Sequence, residues 1–247
     1  MKFNYQIIIE YLGANLVGWQ IQKKGKSIQK ILQTTFSNVL KEKIKIFGAG
    51  RTDKNVHSME QSAHFDIESK ILNINTTIKT LNYFLNKKNI SILKIKKKND
   101  KFHARHSAKK RSYIYLIRNN ISKSVLNRNR EWHIINKIDV NLIKKGASKL
   151  LGTHDFSTFR ASNCNSNSPI KTIYKINISK KNNLIKIRFV SKSFLKSQVR
   201  SMVGCLKYLG EKKWTLDRFE QVFKSKNRKY CAPLAPPNGL YLEKVTY

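Results

Sequence analysis

Residues 48–66 hold the clearest chemical pattern in the chain, a charged Arg-Thr-Asp triplet that follows two glycines in the segment GAGRTDKNVHSMEQSAHFD. Glycines at these positions let the backbone approach a ligand closely. The pattern therefore predicts a loop at the mouth of a sheet that presents Asp53, with the cation Arg51 two residues away. A capped turn in which Arg51 and Asp53 simply pair explains the same residues. A single Gly-x-Gly is too weak to indicate a nucleotide-binding loop.

The charge of the chain is strongly positive. Lysine and arginine number 50 against 14 acidic residues, which gives a net charge of +36 over 247 residues. Such an excess favours a polyanionic partner, most simply nucleic acid. Lysine, asparagine and isoleucine all have A/T-rich codons, so runs such as residues 94–98 are equally explained by genome composition. The charge thus favours RNA or DNA as a partner without establishing it.

A membrane partner and export are not expected. No apolar run is long enough to span a bilayer, and no basic segment has the clean apolar face of a membrane-surface helix. The N-terminal residues read as a strand and lack the pattern of a signal peptide. The expected location is the cytoplasm.

The histidines and cysteines give no metal-binding spacing. Cysteines at this wide spacing are a poor disulfide framework, so they are expected to be reduced structural thiols: Cys164, Cys205 and Cys231. Two histidines, His57 and His103, could face RNA, whereas the other four are expected to be structural: His64, His106, His133 and His154. No metal site is predicted.

Hydrophobic periodicity predicts two similar halves. In the first half, strands are predicted at 3–11, 43–47, 61–67 and 90–95, with helices that begin at Ser27 and span 74–85. In the second half, strands are predicted at 112–118, 172–178, 184–190 and 240–245, with helices at 140–151, 195–209 and 216–223. Both halves therefore follow the order βαββαβ, the second with insertions.

This order predicts an α+β fold made of two tandem ferredoxin-like halves. The predicted domains are residues 1–104, which carry the Asp53 loop, and residues 105–247. A central antiparallel or mixed sheet is expected, with a cleft between the halves where a site would lie.

The Asp53 segment and five other blocks resemble the tRNA pseudouridine synthase A family. Segment 48–66 is similar to the family's catalytic motif. In chain order, the remaining blocks are YLGANLVGWQ at 11–20, FHARHSAKKRSYIY at 102–115, GTHDFSTFR at 152–160, FLKSQVRSMVG at 194–204, and residues 232–247, which end in GLYLEKVTY. Six ordered matches across nearly the whole chain make coincidence negligible. The resemblance implies the pseudouridine synthase fold.

The resemblance implies roles for single residues. Asp53 matches the aspartate required for catalysis, and Arg51 matches an arginine linked with RNA engagement and base extrusion. Tyr113 matches the tyrosine that stacks on the target uracil, although an ordinary core tyrosine would explain it without the family match. Arg200 matches the basic residue that pairs with the catalytic aspartate. Leu240 matches an apolar residue that lines the pocket.

Two further residues, His57 and Arg105, are expected among the substrate contacts. The implied reaction breaks the N1–C1′ bond of uridine, rotates the base and rejoins it through C5. Nothing is added or lost, so no metal, nucleotide or redox cofactor is required. The implied substrate is the anticodon stem-loop of tRNA at positions 38–40, and the implied assembly is a homodimer. Whether Asp53 attacks the sugar, attacks the base or removes a proton stays open.

The chain departs from the family pattern after the aspartate. Where the family usually has glycine two residues later, this chain has Asn55. Ser58, at a position where a small residue is usual, is a minor change. Because asparagine tolerates a positive φ better than most residues, the loop is expected to persist.

Two alternatives remain at this point. One is a non-catalytic RNA-binding protein on the same fold, which the joint presence of Asp53, Tyr113 and Arg200 speaks against. The other is a synthase directed at a different uridine, which sequence distinguishes poorly because specificity depends on how the RNA docks.

Overall fold

The computed structural model describes residues 2–247, which form two compact units. Unit 1 is the chain up to Lys109 together with Tyr241–Tyr247, and unit 2 is Lys110–Leu240. The C-terminal strand, assigned from sequence to the second half, clusters instead with the first. Within the described residues, no helix is long and apolar enough to cross a lipid bilayer.

Unit 1 is a mixed sheet covered by two helices. Its strands are β1 (Phe3–Tyr11), β2 (Phe47–Gly48), β3 (His57–Ile67), β4 (Ile90–Lys98) and β10 (Leu240–Thr246), and its helices are α1 (Ile28–Leu40) and α2 (Ile74–Leu85). The strand order is β4-β1-β3-β10, with β1 antiparallel to both neighbours and β10 parallel to β3. The bounds predicted for β1 and α2 are confirmed.

The core of unit 1 lies between the sheet and the two helices. Side chains on alternate positions of β1, among them Tyr5 and Ile7, pack with Phe65 of β3 and with Phe36 of α1. Helix α1 begins where the sequence predicts, because the side chain of Ser27 accepts a hydrogen bond from the backbone N–H of Lys30.

The strand predicted at residues 43–47 is wrong except at its last residue. Ile44 and Ile46 are buried as a strand pattern requires, but their backbone N–H groups bond to side chains of α1. The N–H of Ile44 donates to Ser37 Oγ, and that of Ile46 donates to Gln33 Oε1. The segment therefore packs beside the helix, and only Phe47 and Gly48 pair with β3.

Strand β10 joins unit 1 through non-local bonds that no sequence pattern reveals. Its start pairs in parallel with β3, and Ser58 Oγ donates to the carbonyl oxygen of Leu242 at 3.1 Å. Beyond the strand, the hydroxyl of Tyr247 donates to Ser62 Oγ and to the carbonyl oxygen of Ala104.

Unit 2 contains five strands and three helices. Its strands are β5 (Lys110–Asn119), β6 (Trp132–Ile134), β7 (Gly152–Asp155), β8 (Ile170–Lys181) and β9 (Leu184–Ser191); its helices are α3 (Val140–Ser148), α4 (Gln198–Gly210) and α5 (Leu216–Lys224). The antiparallel order is β5-β9-β8-β7, and β6 pairs in parallel with β5. The strands predicted at 172–178 and 184–190 are confirmed as β8 and β9, which pair as an antiparallel hairpin. Strands β6 and β7 were not predicted, because three or four residues show no periodicity.

Helix α4 begins three residues later than predicted. Ser197 has φ +60°, a left-handed conformation that cannot continue a helix. The side chain of Gln198 turns back and accepts a hydrogen bond from the N–H of Leu195. Because each unit contains both helices and strands, the predicted α+β class is confirmed.

Candidate active site around the Asp53 loop

The Asp53 loop is held by the residue between its two charged members. Thr52 is buried, and its carbonyl oxygen accepts a hydrogen bond from the N–H of Trp19 at 3.1 Å. Its hydroxyl lies 2.8 Å from the hydroxyl of Tyr11. Arg51 is exposed and Asp53 is partly exposed. The buried threonine therefore fixes a loop whose carboxylate and guanidinium remain accessible to a ligand.

The 11–20 block supports this loop by close backbone approach. Gly18 has φ +101°, and a Cβ there would stand 2.5 Å from the carbonyl oxygen of Thr52. A Cβ at Gly13 would collide with the carbonyl oxygen of Val56. Both glycines are therefore required where the block crosses the loop. Sequence reasoning placed this block in the family pattern but did not identify its contact with the Asp53 loop.

The departure at Asn55 leaves the loop intact. Asn55 has φ +62°, as its position in place of the usual glycine predicts, so this expectation is confirmed. Its N–H donates to the carbonyl oxygen of Leu16, and the N–H of Val56 donates to that of Asp53 at 3.1 Å. Asp53 therefore stands at the start of a tight turn that leads into β3.

Replacing Thr52 with valine is expected to loosen the loop. The change keeps the shape of the side chain but leaves the buried Tyr11 hydroxyl without this partner, which costs about 1–2 kcal/mol of stability. Because a misplaced reacting group lowers the rate steeply, turnover should fall about tenfold or more. The measurements are urea unfolding and single-turnover kinetics. Thr52→Ser, which keeps the hydroxyl, is the control; equal loss in both variants would contradict the role of this hydrogen bond.

His57, predicted to contact substrate, is buried at the start of β3 and only 1% exposed. Its Nδ1 accepts a hydrogen bond from the N–H of Gly13 at 2.9 Å, and its ring lies 4.7 Å from that of Tyr241. In this position His57 fastens the 11–20 block to the sheet. A substrate contact by His57 stays a prediction.

Arg105, the other predicted contact in unit 1, lies on an exposed turn after β4. His103 anchors this turn: its Nδ1 accepts the N–H of Arg105 at 3.1 Å, and its carbonyl oxygen accepts the N–H of Ser107. His64 Nδ1 accepts the N–H of Ala104, which ties the turn to β3. Arg105 is thus carried by a defined turn rather than by a loose segment.

The rings of three histidines near this turn are in successive contact. The centroids of His64 and His103 are 4.5 Å apart, and those of His103 and His106 are 4.3 Å apart. Burial, and then the neighbouring His103, lowers the pKa of His64; burial, and then His106, lowers the pKa of His103. The folded state therefore favours the neutral rings of this pair.

These lowered pKa values predict a loss of stability in mild acid. Below the ordinary histidine pKa of 6.5, the unfolded chain takes up protons that the folded chain resists, so stability is complete above that pH and falls below it. Between pH 7.5 and 5.5, we expect the melting temperature of the wild type to drop about 2–4 °C more than that of His106→Gln. The variant lacks one of the neighbouring charges that lower the pKa of His103. Calorimetry at matched ionic strength measures this. The control is His154→Gln in unit 2, and a wild-type slope in His106→Gln would contradict the coupling.

Tyr113, the predicted stacking residue, lies on β5 opposite Phe189 of β9 and is partly exposed. Its ring meets Phe194 edge to face, with centroids 5.2 Å apart. Two residues along the same strand, Tyr115 is fully buried; its hydroxyl donates to the carbonyl oxygen of Pro236, and burial raises its pKa well above the usual range. Tyr115 is therefore the core tyrosine of this strand, and Tyr113 is only partly buried.

Arg200 lies in the first turn of α4 and is tied to the segment that leads to Leu240. Its Nε donates to the carbonyl oxygen of Ala235 at 2.8 Å, and the N–H of Ala235 donates back to the carbonyl oxygen of Arg200. Since Pro236 holds the Tyr115 hydroxyl, residues 235–236 bridge α4 and β5 within unit 2. Leu240 is buried at the end of this segment.

The structure therefore groups the predicted residues in two sets. In unit 1, Arg51 and Asp53 share one loop, His57 begins the strand β3 that follows this loop, and Arg105 lies on the turn after β4. In unit 2, Arg200 of α4 bonds to Ala235 in the segment that ends at Leu240, and Tyr113 lies on β5. Among residues 2–247, no three His, Cys, Asp or Glu side chains cluster so that they could hold a metal ion.

Comparison with known proteins agrees with the sequence pattern. A family model described as tRNA pseudouridine synthase matches residues 7–107 and 147–247. A tRNA pseudouridine synthase A of Pelagibacter ubique (strain HTCC1062) is 60% identical over 245 residues, which cover 99% of this chain and 100% of that protein. A tRNA pseudouridine synthase A of Parvibaculum lavamentivorans (strain DS-1) is 39% identical, covering 98% of each chain.

Likeness to solved structures is weaker. A crystal structure of a Cbf5-Nop10-Gar1 complex aligns with 82% of this chain and 53% of that chain, at 10% identity and a TM-score of 0.35, which supports no statement about function. The family model is much stronger evidence than these structures, because it matches both halves of the chain. The matched residues include the Asp53 loop, the turn that carries Arg105, and Arg200. The chain therefore belongs to the tRNA pseudouridine synthase family.

Proposed function

We propose that this chain converts uridine to pseudouridine in the anticodon stem-loop of tRNA, at positions 38–40, with Asp53 as the reacting carboxylate. Membership of the family supports the reaction and the class of substrate. The observation that carries the assignment of Asp53 is the loop itself: a buried Thr52, held by Tyr11 and Trp19, presents a partly exposed carboxylate beside an exposed guanidinium.

The reaction needs a base that has left the helical stack. Extrusion of a nucleotide costs a few kcal/mol, and stacking on an aromatic ring returns about 1–3 kcal/mol. Tyr113, an aromatic residue that is partly exposed, is suited to that stacking. The exposed Arg51 is suited to hold a phosphate near the extruded nucleotide.

The atoms balance without an added reactant. The N1–C1′ bond breaks, the base turns, and a C5–C1′ bond forms; the hydrogen on C5 leaves and N1 gains one. Asp53 must be ionised to attack or to remove a proton, and a guanidinium opposes its protonation. We assign that part to Arg200, whose plane is fixed by the bond from Nε to Ala235.

The assembly and location follow as parts of the same proposal. We propose a homodimer whose subunits share one tRNA, and a cytoplasmic enzyme, since tRNA is modified where it is made and used. No metal or organic cofactor is needed by the balance above.

Binding of tRNA is expected to weaken steeply with salt. Each phosphate neutralised contributes about 0.9 to the log–log slope for a duplex and about 0.7 for a single strand. Only the cations that contact RNA phosphates contribute to this slope, and much of the +36 charge is explained by genome composition. The slope should therefore be about 5–10 rather than close to the net charge. A filter-binding titration from low to moderate salt measures it. Salt-insensitive binding would show that the basic surface does not contact tRNA.

Release of hydrogen from C5 tests the reaction directly. A tRNA transcript labelled with tritium at C5 of uridine should release label to water when the purified chain is added, because C5 exchanges its hydrogen for the bond to C1′. Release should plateau at the number of target uridines. Binding without release would indicate an RNA-binding protein that lacks the activity.

A further inference from the structure

Two of the three cysteines lie in contact inside unit 2, apart from the residues assigned to the reaction. The sulfur of Cys205, on the third turn of α4, is 3.5 Å from the sulfur of Cys231, which follows α5 in the chain. Both are free thiols. Cys205 is fully buried, whereas Cys231 is partly exposed.

The surroundings of the pair differ at the two sulfurs. Arg228 Nη1 donates to Cys231 Sγ at 3.2 Å and also to Ser201 Oγ. Cys205 Sγ accepts the backbone N–H of Ala232 at 3.4 Å. The hydrogen bond from Cys205, together with the charge of Arg228, lowers the pKa of Cys231 in spite of its burial, while the bond with Cys231 and burial raise that of Cys205.

We propose that Cys205 and Cys231 form a thiol–disulfide exchange site at which a small-molecule disulfide, such as oxidised glutathione, converts the pair into an intramolecular disulfide. The partly exposed Cys231 is the attacking thiolate and the buried Cys205 is the resolving thiol. A guanidinium beside one sulfur and a second thiol in contact with it are the features of a reactive rather than an inert cysteine.

The exchange balances in two steps. The Cys231 thiolate attacks one sulfur of glutathione disulfide, which forms a mixed disulfide and releases one glutathione thiolate. Cys205 then loses its proton to that thiolate and attacks the Cys231 sulfur, which releases the second glutathione thiolate. Two cysteine thiols are oxidised and one glutathione disulfide is reduced. The sulfurs must close from 3.5 Å to about 2.05 Å.

Formation of the Cys205–Cys231 disulfide is expected to affect Arg200 through residues 231–235. Residues 231–235 pack tightly on α4, because a Cβ at Gly204 would collide with the carbonyl oxygen of Pro233. The same segment ends at Ala235, whose carbonyl oxygen holds Arg200 Nε. A shift of Cys231 toward α4 therefore moves the group that fixes the guanidinium plane. This coupling rests on the proposed function; the exchange site does not.

Thiol counting tests the site without reference to activity. Full-length protein is incubated with oxidised glutathione, then unfolded in guanidinium chloride with excess iodoacetamide so that every free thiol is alkylated, and analysed by mass spectrometry. Free thiols should fall from three to one per chain, with Cys164 alkylated and Cys205 linked to Cys231. Cys164→Ser is the matched control and should still form the link. Three alkylated thiols, or glutathione held only on Cys164, would overturn the proposal.

Variants at Arg228 separate a reactive site from a merely close pair. Arg228→Gln should slow exchange about fivefold or more at neutral pH, because the thiolate loses its neighbouring cation, and Arg228→Lys should restore most of the rate. Circular dichroism checks that each variant is folded. Equal rates in wild type and a folded Arg228→Gln would overturn the role of the guanidinium.

The coupling to Arg200 has its own outcome. Oxidised protein should turn over tRNA more slowly by about threefold or more, with activity restored by dithiothreitol and no such loss in Cys231→Ser. Unchanged turnover in fully oxidised protein would overturn the coupling and leave the exchange site standing. If the reduced protein is itself inactive on tRNA, the proposed function is contradicted, and the proposal of a thiol–disulfide exchange site is unaffected.

Discussion

The Asp53→Asn variant is expected to lose tRNA pseudouridine formation by about three orders of magnitude or more, because removal of a reacting group commonly costs that much. Asparagine keeps the size of the side chain but can neither attack nor accept a proton as a carboxylate does. Affinity for tRNA should change by less than about twofold, since binding depends mainly on many phosphate contacts. Tritium release and filter binding measure the two quantities on one preparation.

Asp66→Asn provides a matched control for that change. Asp66 lies in the same motif, is exposed on β3, and loses the same charge when substituted. Its turnover should remain near that of the wild type. Full activity in Asp53→Asn would refute the assignment of the loop, and equal loss in both variants would point to charge rather than to a reacting carboxylate.

Substitution of Arg200 is expected to have the second largest effect. Arg200→Ala should lower turnover by about 10²–10³, the loss typical of one preorganised electrostatic group. The turnover of Arg200→Lys should lie between those of wild type and Arg200→Ala. Lysine retains a charge for the proposed pairing with Asp53 but loses the planar fork and the Nε donor whose hydrogen bond Ala235 accepts. Single-turnover kinetics at saturating enzyme give the comparison.

The structural part of the Arg200 effect must be measured beside it. Loss of the bond to Ala235 leaves a carbonyl oxygen without this donor, which costs about 1–3 kcal/mol in both variants. Urea unfolding separates this from turnover, and Arg218→Ala on the exposed side of α5 is the control. Near-wild-type turnover in both Arg200 variants would exclude the pairing with Asp53.

Local pattern was sufficient for much of the fold. The bounds of β1 and α2 follow from hydrophobic periodicity, and the hairpin of β8 and β9 follows from two neighbouring strand patterns separated by a short polar turn. The alternating apolar pattern at residues 43–47 gives no strand, because the backbone N–H groups of Ile44 and Ile46 donate to side chains of α1. The membership of β10 in unit 1 depends on hydrogen bonds between residues far apart in sequence.

The candidate site also has features that the sequence predicts and features that it does not. Residue type and family resemblance single out Asp53, and the positive φ of Asn55 could be anticipated from its place in the loop. The supporting contacts could not: the bond from Tyr11 to Thr52 and that from Arg200 to Ala235 join residues 41 and 35 positions apart. Nothing in the local sequence marks either pair, because each depends on how separate elements pack.

The central claim, that this chain forms pseudouridine in the anticodon arm of tRNA, is tested most directly by mapping pseudouridine at single-nucleotide resolution. The tRNA comes from a host that lacks its own enzyme and expresses either the wild-type chain or Asp53→Asn at equal level. We predict pseudouridine at positions 38–40 with the wild-type chain and none there with the variant. Pseudouridine absent from the anticodon arm with the wild-type chain, or present equally with the variant, would contradict the account.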